Sequence, residues 1–259
     1  MTRRILVTGA AGGFGTIISR ELLRRGFRVA LVDRDEHRLT SVSADLASAT
    51  GGEALAAAAD LADPAARARA VSEVDAAWGG VDGIVNSAGV GPGIVRPDFV
   101  TRPILAEEVT EEHLRRSWET NTLAPTLLAM ELLPRMRARG WGRIVNVTTG
   151  LGTMLRLGFL TYGPSKAAFE AATAILAEEC KGTGVTVNVV VPGGTADTPM
   201  VPAQSRSGDV RLINPEVMAD PVAFLLSEDA GTANGVRIVA ADWNPDARPD
   251  PAALAPVGW

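Results

Sequence analysis

The stretch Arg4-Ile5-Leu6-Val7-Thr8-Gly9-Ala10-Ala11-Gly12-Gly13-Phe14-Gly15 decides the fold. A short apolar run ends in a glycine-rich turn. A helical pattern follows, with Ile17, Ile18, Leu22 and Leu23 on one side and a stop at Gly26. Strand, glycine turn and helix form the context of a dinucleotide fingerprint. Glycines let the backbone approach a pyrophosphate, and the helix N-terminus stabilises the charge. The spacing is neither G-x-G-x-x-G nor a Walker loop, because no Gly-Lys-Ser/Thr follows.

Outward from that unit, strands and helices alternate. Arg28 to Val32 reads as a second strand with Asp33 at its end, 24 residues after Gly9. That is where an acidic residue meets an adenosine ribose, and a carboxylate there repels a 2′-phosphate. NAD is therefore expected over NADP, with the adjacent Arg34 as the argument for NADP. Residues 36–49 read as helix and 53–59 as strand, ending at Asp60-Leu61. Asp63-Pro64 opens the next helix. A fourth strand over 83–85 leads into Asn86-Ser87-Ala88-Gly89. Residues 91–110 read as a proline-bearing loop of the length that usually carries function. Thr110 then caps a long helix to about Arg139, expected to kink near Asn121 and Pro125. Strands over 142–147 and 185–191 end at Thr148-Thr149-Gly150 and at Pro192-Gly193. Between them, residues 162–180 form an alanine-rich helix. An irregular flap over 199–214, a helix over 216–227 and a last strand over 235–240 complete the pattern, followed by an extended tail, 242–259. The expectation is one α/β domain over 1–259, a doubly wound parallel sheet of about seven strands.

Composition narrows the function classes. Net charge is −5, which argues against a nucleic-acid or anionic-membrane surface. No run of eighteen apolar residues exists to span a bilayer, and the run before the glycine turn is too short for a signal peptide. A cytoplasmic protein is expected. Cys180 is alone, and His37 and His113 have no cysteine company, so neither a disulfide framework nor a metal site is expected.

Tyr162-Gly163-Pro164-Ser165-Lys166 holds the only tyrosine and one of only two lysines. Four residues apart on a helix, phenol and ammonium share a face. A nearby ammonium lowers a tyrosine from its usual value of about 10 and makes it a usable acid and base. Ligands of such sheets bind beyond the carboxyl ends of the strands. The glycine turn, Asp33, Asp60, Asn86, Thr149 and Pro192 all fall at that edge, which favours a site over a surface pair.

With these residues in view, the chain resembles the short-chain dehydrogenase/reductase family in its single-domain branch. Thr8-Gly9-x-x-x-Gly13-x-Gly15, Asn86-Ser87-Ala88-Gly89, Tyr162-x-x-x-Lys166 and Pro192-Gly193 carry the resemblance over roughly residues 4–241. It implies that Tyr162 exchanges a proton with the substrate oxygen. Lys166 would lower the tyrosine pKa and hold the nicotinamide ribose, and Asn121 would position a water leading to solvent. Gly9, Gly13, Phe14 and Gly15 would cradle phosphates, with Asp33 or Arg34 at the adenosine ribose and Asp60 and Leu61 beside the adenine. Asn86, Ala88, Gly89, Pro192, Gly193, Thr195 and Thr198 complete the implied cofactor set. Thr149 stands thirteen residues before Tyr162, where the family carries serine.

The implied activity is hydride transfer between NAD(H) and a secondary alcohol or ketone. An NADPH-dependent ketone reductase and a catalytically silent nucleotide-sensing protein are the rivals. Leu151, Met154, Leu155, Leu157 and Phe159 suggest an apolar pocket, and Arg96, Arg102 and Arg156 offer a carboxylate partner. A homo-oligomer, dimer or tetramer, is expected through the helix around Asn121 and the alanine-rich helix. The tail is expected either to cover a neighbour's site or to fray.

Overall fold

The computed structural model describes residues 2–202, 211–247, 250 and 254–258. Among the described residues, seven strands form one parallel sheet. They are β1 (Arg4–Thr8), β2 (Arg28–Asp33), β3 (Ala54–Ala58), β4 (Gly83–Asn86), β5 (Gly142–Val147), β6 (Val185–Val191) and β7 (Arg237–Val239), in the order β3-β2-β1-β4-β5-β6-β7. The order reverses at β1 and β4, so a crevice opens above that pair, where such sheets take ligands.

The helices divide between the two faces. They are α1 (Gly13–Arg24), α2 (Glu36–Thr50), α3 (Pro64–Trp78), α4 (Glu111–Trp118), α5 (Ala124–Ala138), α6 (Leu151–Met154), α7 (Gly163–Glu179) and α8 (Ala219–Leu226). Alternation along the strands sets the layering. Ile5 and Val7 join Ile18 and Leu22 of α1, Leu39 of α2 and Phe224 of α8 in one core. Leu6, Ile84 and Ile144 join Val74 of α3, Leu128 and Leu132 of α5 and Leu176 of α7 in the other. Truncating a fully buried leucine such as Leu22 or Leu132 to alanine costs about 2–5 kcal/mol.

Local chemistry sets the helix ends. Asp35 caps α2 by accepting from Arg38 N at 3.0 Å, and Asp63 caps α3 by accepting from Ala65 N at 2.9 Å. Both helices stop at glycines in the left-handed region, Gly51 (φ 68°) and Gly79 (φ 72°). Thr110 caps α4 as expected, with His113 Nδ1 returning a bond to Thr110 N at 3.2 Å.

Three expectations change. The long helix is two helices joined by a π-helical turn over Glu119–Leu123. Pro125, which lacks an N–H, sits in the first turn of α5, where no donor is needed. The 91–110 loop holds two short 3-10 turns, Pro92–Ile94 and Ala106–Glu108. Through Phe99 and Ile104 it forms a small core with Phe159, packed against Tyr162.

The tail neither frays nor leaves where it is described. Arg237 N donates to Ala255 O at 2.8 Å and Val257 N to Gly235 O at 2.7 Å, so residues 255–257 cover the outer edge of β7. Residues 203–210 of the expected flap lie outside the described residues. Among those described, no helix is long and apolar enough to cross a membrane.

Candidate active site

A cleft of about 540 Å³ lies over the ends of β1, β2 and β4. Gly9, Gly13, Phe14, Gly15, Asp33, Arg34, Asp60, Leu61, Ala88, Gly89 and Thr198 all border it. The glycines there are required. Gly9 has φ +65°, and a Cβ on it would lie 2.7 Å from Ala88 Cα. A Cβ on Gly15 would lie 2.1 Å from Gly9 O, a distance no side chain tolerates. Gly12 caps α1 without a side-chain bond, and the first turn carries no acidic residue, so its N–H groups stay open to an anion. This backbone fits a dinucleotide pyrophosphate.

At the adenosine end, Asp33 Oδ2 accepts from Ala11 N at 3.1 Å and Oδ1 from Asp35 N at 3.3 Å. The carboxylate is thereby fixed at the cleft wall, with the exposed Arg34 and Arg38 beside it. Asp60 pairs with Arg116 Nη2 at 3.0 Å. Burial pushes Asp60 upward, but the Ala62 amide and the Arg116 guanidinium outweigh it and hold the carboxyl below its usual range. Arg116 also lines the cleft. Sequence reading passed over it, because on α4 it is one polar residue among several.

At the inner end stand Lys166 and Asn121, both buried. Lys166 Nζ donates to Val147 O at 2.9 Å. A Cβ on Gly89 would lie 3.2 Å from Asn121 Oδ1 and 3.5 Å from Lys166 Nζ, so both groups abut the cleft wall. Asn121 sits in the π-helical turn. Its Nδ2 donates to Val90 O at 2.9 Å and to Ser165 Oγ at 3.0 Å, and its Oδ1 accepts from Val90 N at 2.8 Å. The turn thus ties the cleft floor to the helix that carries Lys166.

Tyr162 precedes α7 and packs edge-to-face on Phe159 at 6.2 Å between centroids, and Phe159 packs the same way on Phe99 at 5.9 Å. Lys166 Nζ lies 6.0 Å from the tyrosine ring centre. Although Tyr162 as a residue is only half-buried, desolvation pushes its phenol up to about 12. Desolvation also lowers Lys166 to about 8. This corrects the expectation of a lowered tyrosine. Burial disfavours both charged forms.

Thr149 borders a second cavity of about 520 Å³, together with Gly150–Met154, Pro192, Gly193, Gly194 and Gly258. Its hydroxyl has no hydrogen-bond partner among the described residues, whereas Thr148 Oγ1 turns away to Glu170 Oε2 at 2.7 Å. Asn86 and Thr195 border neither cavity. The Asn86 side chain turns into the sheet and donates to Asn146 Oδ1 at 2.8 Å.

The expected apolar wall is divided. Leu151 and Met154 border the Thr149 cavity, while Leu155 and Leu157 are 77% and 71% exposed. Arg96 bonds to the carbonyls of Arg102 and Pro103, and Arg156 lies over the Phe159 ring.

A doubly wound sheet with a glycine cradle, an acidic residue at the end of β2 and a buried lysine beside the cleft defines a dinucleotide-binding α/β protein. Comparison with known proteins narrows the class. A family model described as short chain dehydrogenase matches residues 3–208. The acetoacetyl-CoA reductase of Cupriavidus necator is 32% identical over 247 residues, covering 91% of this chain and 95% of that protein. The structure of a 3-ketoacyl-(acyl-carrier-protein) reductase from Brucella melitensis, complexed with NADH, superposes with a TM-score of 0.78 at 29% identity, covering 92% and 96%. A metagenomic short-chain oxidoreductase in complex with NADP superposes with a TM-score of 0.71 at 32% identity, covering 86% and 89%. The chain belongs to the short-chain dehydrogenase family, and it is an oxidoreductase of that family.

Proposed function

We propose that the protein interconverts a ketone and a secondary alcohol with NAD(H), Tyr162 moving the proton. The observation that carries this reading is the placement against Gly89, at the inner end of the cleft, of Asn121 from the π-helical turn and of Lys166 from the helix that Tyr162 leads into. The bound dinucleotide supplies or accepts the hydride. The chain's own residues do the rest. Tyr162 donates its proton to the carbonyl oxygen in reduction and takes it back in oxidation. Lys166 keeps an ammonium near that exchange. The Thr149 hydroxyl donates to the substrate oxygen as negative charge builds there.

The names of two similar proteins, an acetoacetyl-CoA reductase and a 3-ketoacyl-(acyl-carrier-protein) reductase, support the direction of ketone reduction. Asp33, anchored by two amides, supports NAD. A second reading, NADPH, is favoured by Arg34 and Arg38 on the same cleft wall and by the neighbour holding NADP.

Self-association would use the apolar face of the two helices flanking the π-helical turn, and of α7. There Trp118, Leu123, Met130 and Ile175 are exposed by 42–63%. Light scattering decides between monomer, dimer and tetramer. The functional reading is tested with a panel of ketones and alcohols against both dinucleotides, followed by absorbance of the reduced cofactor. No turnover on any member, despite dinucleotide binding, would favour a nucleotide-sensing protein.

A further inference from the structure

The wall of the Thr149 cavity contains two charges that the proposed reaction does not use. The Glu170 side chain is 1% exposed and that of Arg237 18%. Glu170 lies one helical turn beyond Lys166 and two beyond Tyr162, on the same stripe. Both of its oxygens are engaged. Oε1 accepts from Arg237 Nε at 2.7 Å, and Oε2 accepts from Thr148 Oγ1 at 2.7 Å. Arg237 then reaches back, its Nη2 donating to Thr149 O at 3.1 Å. The four groups close a ring that runs from the end of β5 to α7, on to β7, and back to β5.

A buried ion pair returns little stability after its desolvation, and an apolar pair of the same volume serves packing as well or better. What the ring adds is geometry. Thr149 lies beyond the end of the β5 ladder, and the sheet bond beside it is Thr148 N to Val190 O. A β-branched side chain is stiff at χ1, so the Thr149 hydroxyl points where its backbone directs it. Arg237 holds that backbone by its carbonyl. Glu170 ties the arginine to the helix that bears Lys166 and follows Tyr162.

We propose that Glu170 and Arg237 are positioning residues that fix the aim of the Thr149 hydroxyl relative to Tyr162. Neither touches the reacting atoms. The inference rests on the ketone–alcohol reading above.

The test is a double-mutant cycle. Arg237→Lys keeps a positive charge opposite Glu170, but a single ammonium cannot reproduce the two-point fork. It is made alone and in the Thr149→Ala background, with Arg237→Met as the stronger lesion. Alone, Arg237→Lys is expected to leave dinucleotide affinity and KM near wild type and to lower kcat by about 10- to 100-fold, the scale of a small misplacement. In the Thr149→Ala background it should lower kcat no further, because the hydroxyl it aims is gone. A merely structural role would slow both backgrounds equally, and that result overturns the proposal. So does wild-type kcat in Arg237→Lys. Should Arg237→Met fail to fold, Arg237→Lys still decides. A wild-type protein that turns over nothing defeats the functional reading and the clamp with it, whereas turnover with additive losses defeats the clamp alone.

Discussion

Because Tyr162 is the only tyrosine, its ionisation can be read directly from tyrosinate absorbance, without a substrate. The structure places its midpoint at about 12, raised by desolvation from about 10. Two units correspond to about 3 kcal/mol favouring the neutral phenol. Lys166 moves the other way, to about 8, from the same cause. The two have opposite effects on stability.

Below pH 8 the fold carries a buried ammonium at a cost. As pH rises from 8 to 10, the folded lysine has lost its proton while the unfolded one keeps it, so stability climbs by about 1.4 kcal/mol per unit, about 3 kcal/mol in all. Above the unfolded lysine value near 10.5, only the tyrosine acts. The unfolded phenol has then ionised and the folded one has not, so stability falls toward pH 12. Urea titrations at pH 8, 9 and 10 should show the climb, and Lys166→Met should abolish it. A tyrosinate midpoint at or below 10 in the protein alone would refute the argument, because attraction to the ammonium would then exceed desolvation.

Other outcomes follow from the same geometry. Gly15→Ala forces a Cβ to within 2.1 Å of Gly9 O, so calorimetry should show dinucleotide binding lost while circular dichroism keeps the helical signal. Asp33→Asn removes the charge facing a 2′-phosphate and should narrow or reverse a preference for NAD over NADP in the same titration; tighter NADP binding by the wild type would instead assign the ribose to Arg34. Thr149→Ala should lower kcat by about 10²–10³ with cofactor binding unchanged. Thr148→Ala should act on stability through Glu170 instead, and a reversal of the two effects would place the active hydroxyl one residue earlier.

The parallel sheet was legible because its strands are short apolar runs closed by glycine, acidic or proline turns, as at Val7-Thr8-Gly9 and Val191-Pro192-Gly193. The cleft was legible for the same reason, since its residues are those turns. What escaped were features set by tertiary contact. Asn86 sits in a cleft-facing motif, yet Asn146 draws its side chain into the sheet. Leu155 and Leu157 read as pocket wall and face solvent, while Phe99, from a loop with no periodicity, reaches Phe159 beside the tyrosine. The tyrosine–lysine spacing gave proximity but could not weigh attraction against desolvation, which depends on everything packed around the pair. Glu170 carried a usable signal: a carboxylate in an alanine-rich helix, four residues past Lys166, needs a buried partner. Nothing in the sequence pointed to Arg237, sixty-seven residues later.

The central claim, that Tyr162 moves the proton in an NAD(P)-dependent ketone–alcohol conversion, is met most directly by Tyr162→Phe. Wild type and variant are assayed on the same panel of ketones and alcohols by absorbance of the reduced dinucleotide, with its affinity measured by calorimetry. The account predicts wild-type turnover, near-complete loss in the variant and equal dinucleotide affinity in both. Substantial turnover by the variant would contradict it.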